Sequence, residues 1–268
     1  MDGKIIIIDK EKCLKCGLCN KICSGLVIKN DEEGYPYLDQ NLTVHCLECG
    51  HCMSICPESA LDFSKTLLCE SLEIDETLKI SKEQAYQFLR SNRSIRNFTD
   101  ESVTREEIEE LLELAAYAPT GGNAQDVEWI VIDNREKLAE ISKIVRDYLE
   151  NLVKETGDMS LIPAEVLGTD REYAFWDAPV VIMATADYPI DISIALTYLD
   201  LYANVMDLGV CWCGYLNFAM DGGVEGLKEL VGGDKLKSYS FPIFLGHPEK
   251  DIKFKRMPSR NKPVIHFE

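Results

Sequence analysis

At 268 residues with 46% hydrophobic content, the chain is long enough for two domains with a sizeable buried core, which excludes a disordered protein. Its net charge of -18 and pI near 4.7 argue against binding nucleic acid or an anionic membrane, because both need clustered Lys and Arg.

The apolar run Ile5 to Ile8 has no cationic lead and no small-residue cleavage site, so it reads as a strand rather than a signal peptide. No run is long enough to span a bilayer. Without a signal, eleven regularly spaced cysteines point to metal or redox work in a reducing compartment, and the cytoplasm is the expected location.

Cysteine is concentrated before position 70 and the long helical patterns follow position 80, which sets domains at 1–65 and 83–268 with a linker at 66–82. The first domain repeats itself. Cys13, Cys16, Cys19 and Cys23 are echoed by Cys46, Cys49, Cys52 and Cys56 at the same internal spacing, which implies two equivalent half-sites. Between them, Gly34-Tyr35-Pro36-Tyr37 predicts a turn between short strands.

Three thiolates on one tight loop can occupy three corners of an iron-sulfur cube, while the displaced fourth points toward the other cube. By that rule Cys13, Cys16, Cys19 and Cys56 hold one 4Fe-4S cluster, and Cys46, Cys49, Cys52 and Cys23 hold the second. The alternative is a pair of zinc sites, although paired CxxCxxC triplets are not the usual zinc spacing. This segment resembles bacterial two-cluster ferredoxins over residues 3 to 65. Pro57 follows the second run as that family expects, but Ser24 replaces the first proline, which predicts a less rigid loop beside Cys23. His45 and His51 flank ligands and are read as tuning solvation or as incidental. Cys69 is read as a linker residue.

In the second domain, Ser81 caps a predicted helix through Leu89, and Thr104 caps another from Arg105 to Ala118 with Ile108, Leu111, Leu112 and Ala115 on one face. Strands are predicted at Trp129–Ile132, Val180–Ala184 and Phe241–Leu245, with a long apolar helix over Ile192 to Leu208. Alternating helices and strands give an α/β or α+β domain. A homodimer interface would cover the apolar helix, as would a monomer core.

Arg93 and Arg96 lie three residues apart and face one ligand if their turn is helical, and planar guanidinium groups suit phosphate. A surface ion pair is the plain alternative. Downstream come Ala118-Pro119-Thr120-Gly121-Gly122-Asn123-Ala124-Gln125, then Leu208-Gly209-Val210-Cys211-Trp212-Cys213-Gly214-Tyr215, and Arg256-Met257-Pro258-Ser259-Arg260. In that order they resemble the nitroreductase superfamily over residues 83 to 268. With its first domain, the whole chain resembles the fused ferredoxin-nitroreductase proteins of anaerobes.

The resemblance implies an α+β architecture, a small bacterial-ferredoxin-like domain followed by an FMN-binding nitroreductase-like α/β sandwich. It implies that Arg93, Ser94 and Arg96 contact the FMN phosphate and ribityl chain, with Arg260 closing on the phosphate and Arg256 a weaker candidate. Pro119, Thr120, Asn123 and Gln125 would line the flavin ring, with Gly121 and Gly122 permitting close approach. The segment Cys213-Gly214 would pass flavin N5, offering a backbone N–H from Gly214. Read alone, the 118–125 stretch is also a plain helix-terminating turn. Asn92 stands where many members carry another arginine, and Asp126 replaces a frequent proline. Cys211 and Cys213 read as buried small residues or as redox-active thiols. Trp212, Tyr215 and Phe218 pack the core or shape the substrate face.

The resulting expectation is an FMN-dependent oxidoreductase, homodimeric, passing electrons from the clusters through FMN to a small organic acceptor: a nitroaromatic, quinone, enone or free flavin. Ferredoxin is one possible donor. A second reading makes NAD(P)H the donor, with the clusters storing or exporting electrons, and a third makes the chain a non-catalytic electron carrier or redox sensor.

Overall fold

A computed structural model describes residues 6–63, 71–160, 162, 164–169 and 172–267, so Cys69 lies outside the described residues. The chain divides into two compact units, Met1–Lys79 with Gly122–Ala124, and Ile80–Gly121 with Gln125–Glu268.

The first unit is built from two short antiparallel pairs, β1 (Ile6–Ile8) with β4 (Leu61–Phe63) and β2 (Ile28–Asn30) with β3 (Pro36–Leu38). Two short helices, α1 (Leu18–Ile22) and α2 (His51–Ser54), close the cysteine triplets and carry Cys19 and Cys52. The β2–β3 reversal falls at Asp31 to Gly34, where the Asp31 carboxylate accepts the N–H groups of Glu33 and Tyr35. Ile6, Val27, Ile28, Met53, Leu61 and Phe63 form a small core against which Cys23, Cys46, Cys52 and Cys56 pack.

The sequence repeat is also a backbone repeat. Left-handed residues recur 33 positions apart, at Lys15 and Glu48, Gly17 and Gly50, and Leu26 and Ser59. The turn after the fourth cysteine is the same in both halves. Leu26 donates to the Cys23 carbonyl at 3.1 Å, and Ser59 donates to the Cys56 carbonyl at 3.2 Å. Ser24 therefore forms the turn that Pro57 forms in the other half. Beside it, a Cβ on Gly25 would stand 2.2 Å from the His45 carbonyl oxygen, so only glycine allows this close approach.

In the second unit, α3 (Lys82–Ser91) and α4 (Arg105–Ala115) both start with capping boxes, Ser81 with Gln84 and Thr104 with Glu107. A four-stranded antiparallel sheet in the order β5-β6-β8-β7 follows, from β5 (Glu128–Ile132), β6 (Val180–Ala186), β7 (Gly209–Trp212) and β8 (Tyr239–Gly246). Every residue of β6 is buried, as a central strand covered on both faces requires. Val181 and Met183 pack with the apolar stripe of α5 (Arg135–Thr156), along with α7 (Gly214–Asp221) and α8 (Leu227–Val231). Val180, Ile182 and Ala184 face α4 and α6 (Pro189–Val205). Helices thus cover both sides of an antiparallel sheet, an α+β sandwich.

Three predicted helices have ends that differ from expectation, and the first, α3, runs to Ser91 rather than Leu89. The helix that starts at Arg105 stops at Ala115 rather than Ala118, because Tyr117 and Ala118 tighten onto carbonyls three residues back ahead of Pro119. The apolar helix runs Pro189–Val205 rather than Ile192 to Leu208. Pro189 is pre-shaped for a first helical position, and a left-handed Asp207 ends the helix by letting Leu208 donate to the Ala203 carbonyl at 2.8 Å. Most of the apolar surface of α6 packs inside its own chain: Ile192, Ala195, Leu196, Leu199 and Ala203 are buried, leaving Ile190, Tyr198 and Val205 exposed.

Candidate functional site

The cysteines of the first unit line two cavities. One is walled by Cys13, Cys16, Cys19 and Cys56 with Pro57 and Leu61. The other is walled by Cys23, Cys46, Cys49 and Cys52 with Ile6, Val27 and Phe63. Each cavity therefore takes three cysteines from one run and the fourth from the other, because Cys23 and Cys56 lie just past the ends of helices that carry them across the unit. Among the described residues no three His, Cys, Asp or Glu side chains converge closely enough to hold a single metal ion. All described cysteines are free.

The thiols are adapted to an apolar wall. Burial pushes Cys52 up to about 11 against the pull of the Met53 N–H, with Cys23 and Cys49 adding to the rise. Burial likewise raises Cys19 and Cys46. Loading such sites with iron expels the thiol protons, so metal binding and folding are coupled. The donor set of four sulfurs per apolar cavity fits a 4Fe-4S cube.

In the second unit the segment after α3 is not helical. Asn92 ends the helix at ψ 131°, and Ile95 donates to the Val210 carbonyl at 2.9 Å, so residues 93 to 96 run alongside β7. The segment is not helical, so the condition under which one helical turn would align Arg93 and Arg96 is not met. Arg93 is half-buried, and its Nε is buried without a hydrogen-bond partner among the described residues. An orphaned cationic donor is costly unless an anion meets it, and a phosphate is such an anion.

Arg96 lines a concavity of about 210 Å³ with Cys211, Trp212, Cys213, Gly214, Tyr215, Trp176, Ala174 and Phe244. Gly214 opens α7, Cys213 offers no side-chain cap, and a Cβ at Gly214 would meet nothing within 4 Å. Its N–H belongs to the first turn, where no intrahelical acceptor exists, and it has no hydrogen-bond partner among the described residues. Cys211 and Cys213 are buried, at 3% and 1% exposure. Burial pushes the Cys211 thiol up, against the opposing charge of Arg96 and hydrogen bonds with Ser94 and Arg96, and it pushes Cys213 well above the ordinary range. Neither is a poised thiolate.

The 118–125 stretch is more than a helix stop. Its backbone is left-handed at Gly122, Asn123 and Gln125, Gln125 donates to the Thr120 hydroxyl at 2.9 Å, and Gly121 donates to the Asp191 carboxylate. Pro119 and Gln125 are exposed and Thr120 is half-buried. Arg256 and Arg260 stand exposed in the C-terminal segment, and among the described residues no hydrogen bond or ion pair joins Arg260 to Arg93, Ser94 or Arg96. The structure thus brings Arg96, Cys213 and Gly214 to one concavity, with Ser94 hydrogen-bonded to Cys211 in its wall. Trp212 donates its indole N–H to Asp200 at 3.1 Å, and Phe218 tilts against Tyr148. Sequence reasoning missed Asp191 and Trp176, since neither sits in a recognisable motif.

Residues 89–247 match the nitroreductase family, and residues 12–61 match a 4Fe-4S dicluster domain. A protein of Archaeoglobus fulgidus with the provisional name NADH dehydrogenase/NAD(P)H nitroreductase is 25% identical over 187 residues, covering 69% of this chain and 98% of its own. An FMN reductase (NAD(P)H) of Bacillus subtilis is 26% identical over 189 residues, 67% of this chain and 72% of its own. A crystal structure of an FMN-bound nitroreductase from Desulfitobacterium hafniense superposes with a TM-score of 0.56 at 21% identity, covering 71% of this chain and 100% of that one, which shows a shared fold.

Proposed function

The chain belongs to the nitroreductase family and carries a 4Fe-4S dicluster domain, and from that premise we propose that it is an iron-sulfur flavoprotein oxidoreductase that moves electrons from two 4Fe-4S clusters to FMN and on to a small organic acceptor. Residues 1–65 form the cluster domain and 83–268 the flavin domain in this reading. The observation that carries it is the occurrence of two four-cysteine cavities together with the half-buried Arg93, whose Nη1 donates to the Asn92 carbonyl and whose Nε has no partner among the described residues, in a nitroreductase fold. FMN is the group named in the Bacillus relative and bound in the Desulfitobacterium structure.

Cys13, Cys16, Cys19 and Cys56 hold one cluster and Cys46, Cys49, Cys52 and Cys23 the other. Arg93, Ser94 and Arg96 hold the phosphate and ribityl chain, joined by Arg260 in the homodimer. Pro119, Thr120, Asn123 and Gln125 line the ring. Cys213 turns the chain so that the Gly214 N–H faces the ring at N5, where a fixed donor stabilises added electron density. FMN held there would supply one- and two-electron redox chemistry, and these residues would contribute binding, orientation and electrostatics. No helix among the described residues is long and apolar enough to cross a membrane.

Anaerobic purification with iron, sulfide and FMN quantitation tests the cofactors together, and absence of FMN from folded, cluster-loaded protein would reject the reading. The donor is tested by steady-state assays with reduced ferredoxin, NADH and NADPH. The relatives' names favour a second reading with NAD(P)H as donor and the clusters as store or exit. Exposed Ile190, Tyr198 and Val205 on α6 and the exposed C-terminal Phe254, Val264, Ile265 and Phe267 support the homodimer, for which light scattering of flavin-loaded protein is the test.

A further inference from the structure

We propose that Asp191 and Asp126 form a reciprocal carboxylate clamp that positions the loop Pro119 to Gln125 for the flavin ring. The inference rests on the flavin reading above and assigns two positioning residues to it. Asp191, on the first turn of α6, is only 3% exposed, and both its oxygens accept the Gly121 N–H, at 3.0 and 3.2 Å. Among the described residues no Lys or Arg pairs with it. A buried carboxylate without an ion pair is expensive, and the start of a helix only partly offsets that cost. Its hydrogen bonds go to a backbone amide 70 residues away, in the loop itself.

The other end of the loop is held in the opposite sense. Asp126, immediately after Gln125, accepts the Asp187 N–H at 3.1 Å through Oδ2, while its own carbonyl accepts from Lys237. Lys237 is fixed in turn by Glu128 at 2.9 Å. The first turn of α6 thus supplies a carboxylate to one end of the loop, and Asp187 in the connection before it receives one from the other. Between the two anchors the backbone is left-handed at Gly122, Asn123 and Gln125, and the Thr120 hydroxyl closes the loop by accepting Gln125 N–H. Non-glycine residues persist in such conformations where their surroundings over-determine them.

The test uses full-length, cluster-loaded protein and follows FMN affinity by fluorescence titration and the flavin midpoint potential by anaerobic redox titration. Asp191→Ala is expected to weaken FMN binding by about tenfold or more, the scale of a lost hydrogen bond to a charged group, and to shift the flavin potential. Asp191→Asn, which keeps an acceptor oxygen for Gly121, is expected to recover most of both. Asp126→Ala is expected to act in the same direction more weakly, and the double variant to fall short of the product of the single effects because the two act on one loop. Should Asp191→Ala fail to fold, Asp191→Asn and Asp126→Ala carry the test. Unchanged affinity and potential in folded variants, or Asp191→Asn as impaired as a folded Asp191→Ala, overturns the clamp. A parent protein that takes up no FMN overturns instead the flavin reading on which it rests.

Discussion

Ile95 occupies the space a side chain on Gly209 would need: a Cβ there would stand 2.8 Å from the Cβ of Ile95, while Ile95 donates its N–H to Val210 at 2.9 Å. The arginine segment is thus laid onto β7 through a glycine. Gly209→Ala is expected to push that segment away, costing about 1–3 kcal/mol as overpacking does and weakening FMN binding in parallel. Denaturant unfolding and flavin titration check the two effects, and a variant as stable and as tight as the parent would remove the packing argument.

Arg93 leads to a second expectation, because its Nε is buried without a partner among the described residues. Arg93→Ala is expected to lower FMN affinity by the worth of a charge-assisted contact, about 1.5–3 kcal/mol, while relieving an unsatisfied donor in the flavin-free chain. The flavin-free variant should therefore be no less stable than the flavin-free parent. Thermal melts with and without FMN separate the two states. Arg93→Lys should recover only part of the affinity, since an ammonium lacks the planar fork.

Glu107 supplies a pH-dependent prediction. Burial pushes its carboxyl up, but the Thr104 N–H and hydroxyl and the nearby His247 outweigh it, and the net direction is down from 4.5. A group depressed in the folded state contributes stability above its unfolded pKa and loses it as pH falls through the folded value. Glu107→Gln should thus be less stable than the parent at pH 7, and the difference should shrink as pH falls through and below the ordinary carboxylate range. Urea midpoints across that range measure it, and a difference independent of pH would assign the effect to shape rather than charge.

Much of this architecture was legible in the sequence because its signals are local. Ser81 and Thr104 announced their helices through hydroxyl caps, and the apolar run at Val180 announced the buried central strand. The cysteine spacing carried the two half-sites, down to left-handed positions that recur with it. What escaped is non-local. The 22-residue α5 had an Asn134 cap and a stripe through Ile141, Val145 and Leu149, but its many charged residues masked that period. The non-helical run after Asn92 is dictated by pairing with Val210, and Asp191 matters because of a partner 70 residues away. Neither relation leaves a mark in a short window.

The crossed ligand sets make the sharpest prediction. Cys23 lines the cavity of the second run and Cys56 that of the first, so a substitution should damage the cluster opposite to its position in sequence. Cys23→Ser and Cys49→Ser are expected to impair the same cluster, and Cys56→Ser and Cys16→Ser the other, each leaving about half of the parent's iron. Electron paramagnetic resonance of the reduced variants would then sort them into those two pairs. FMN content should survive in all four, because no proposed flavin contact precedes residue 92. If electrons enter through the clusters, flavin reduction by a low-potential ferredoxin should slow sharply in Cys49→Ser, while direct chemical reduction of the flavin stays close to normal. Rapid-mixing absorbance under anaerobic conditions follows both. Should Cys23→Ser instead match Cys16→Ser, each run would hold its own cluster and the crossed assignment would fall. Unchanged ferredoxin-driven reduction after confirmed loss of a cluster would leave NAD(P)H as the favoured donor.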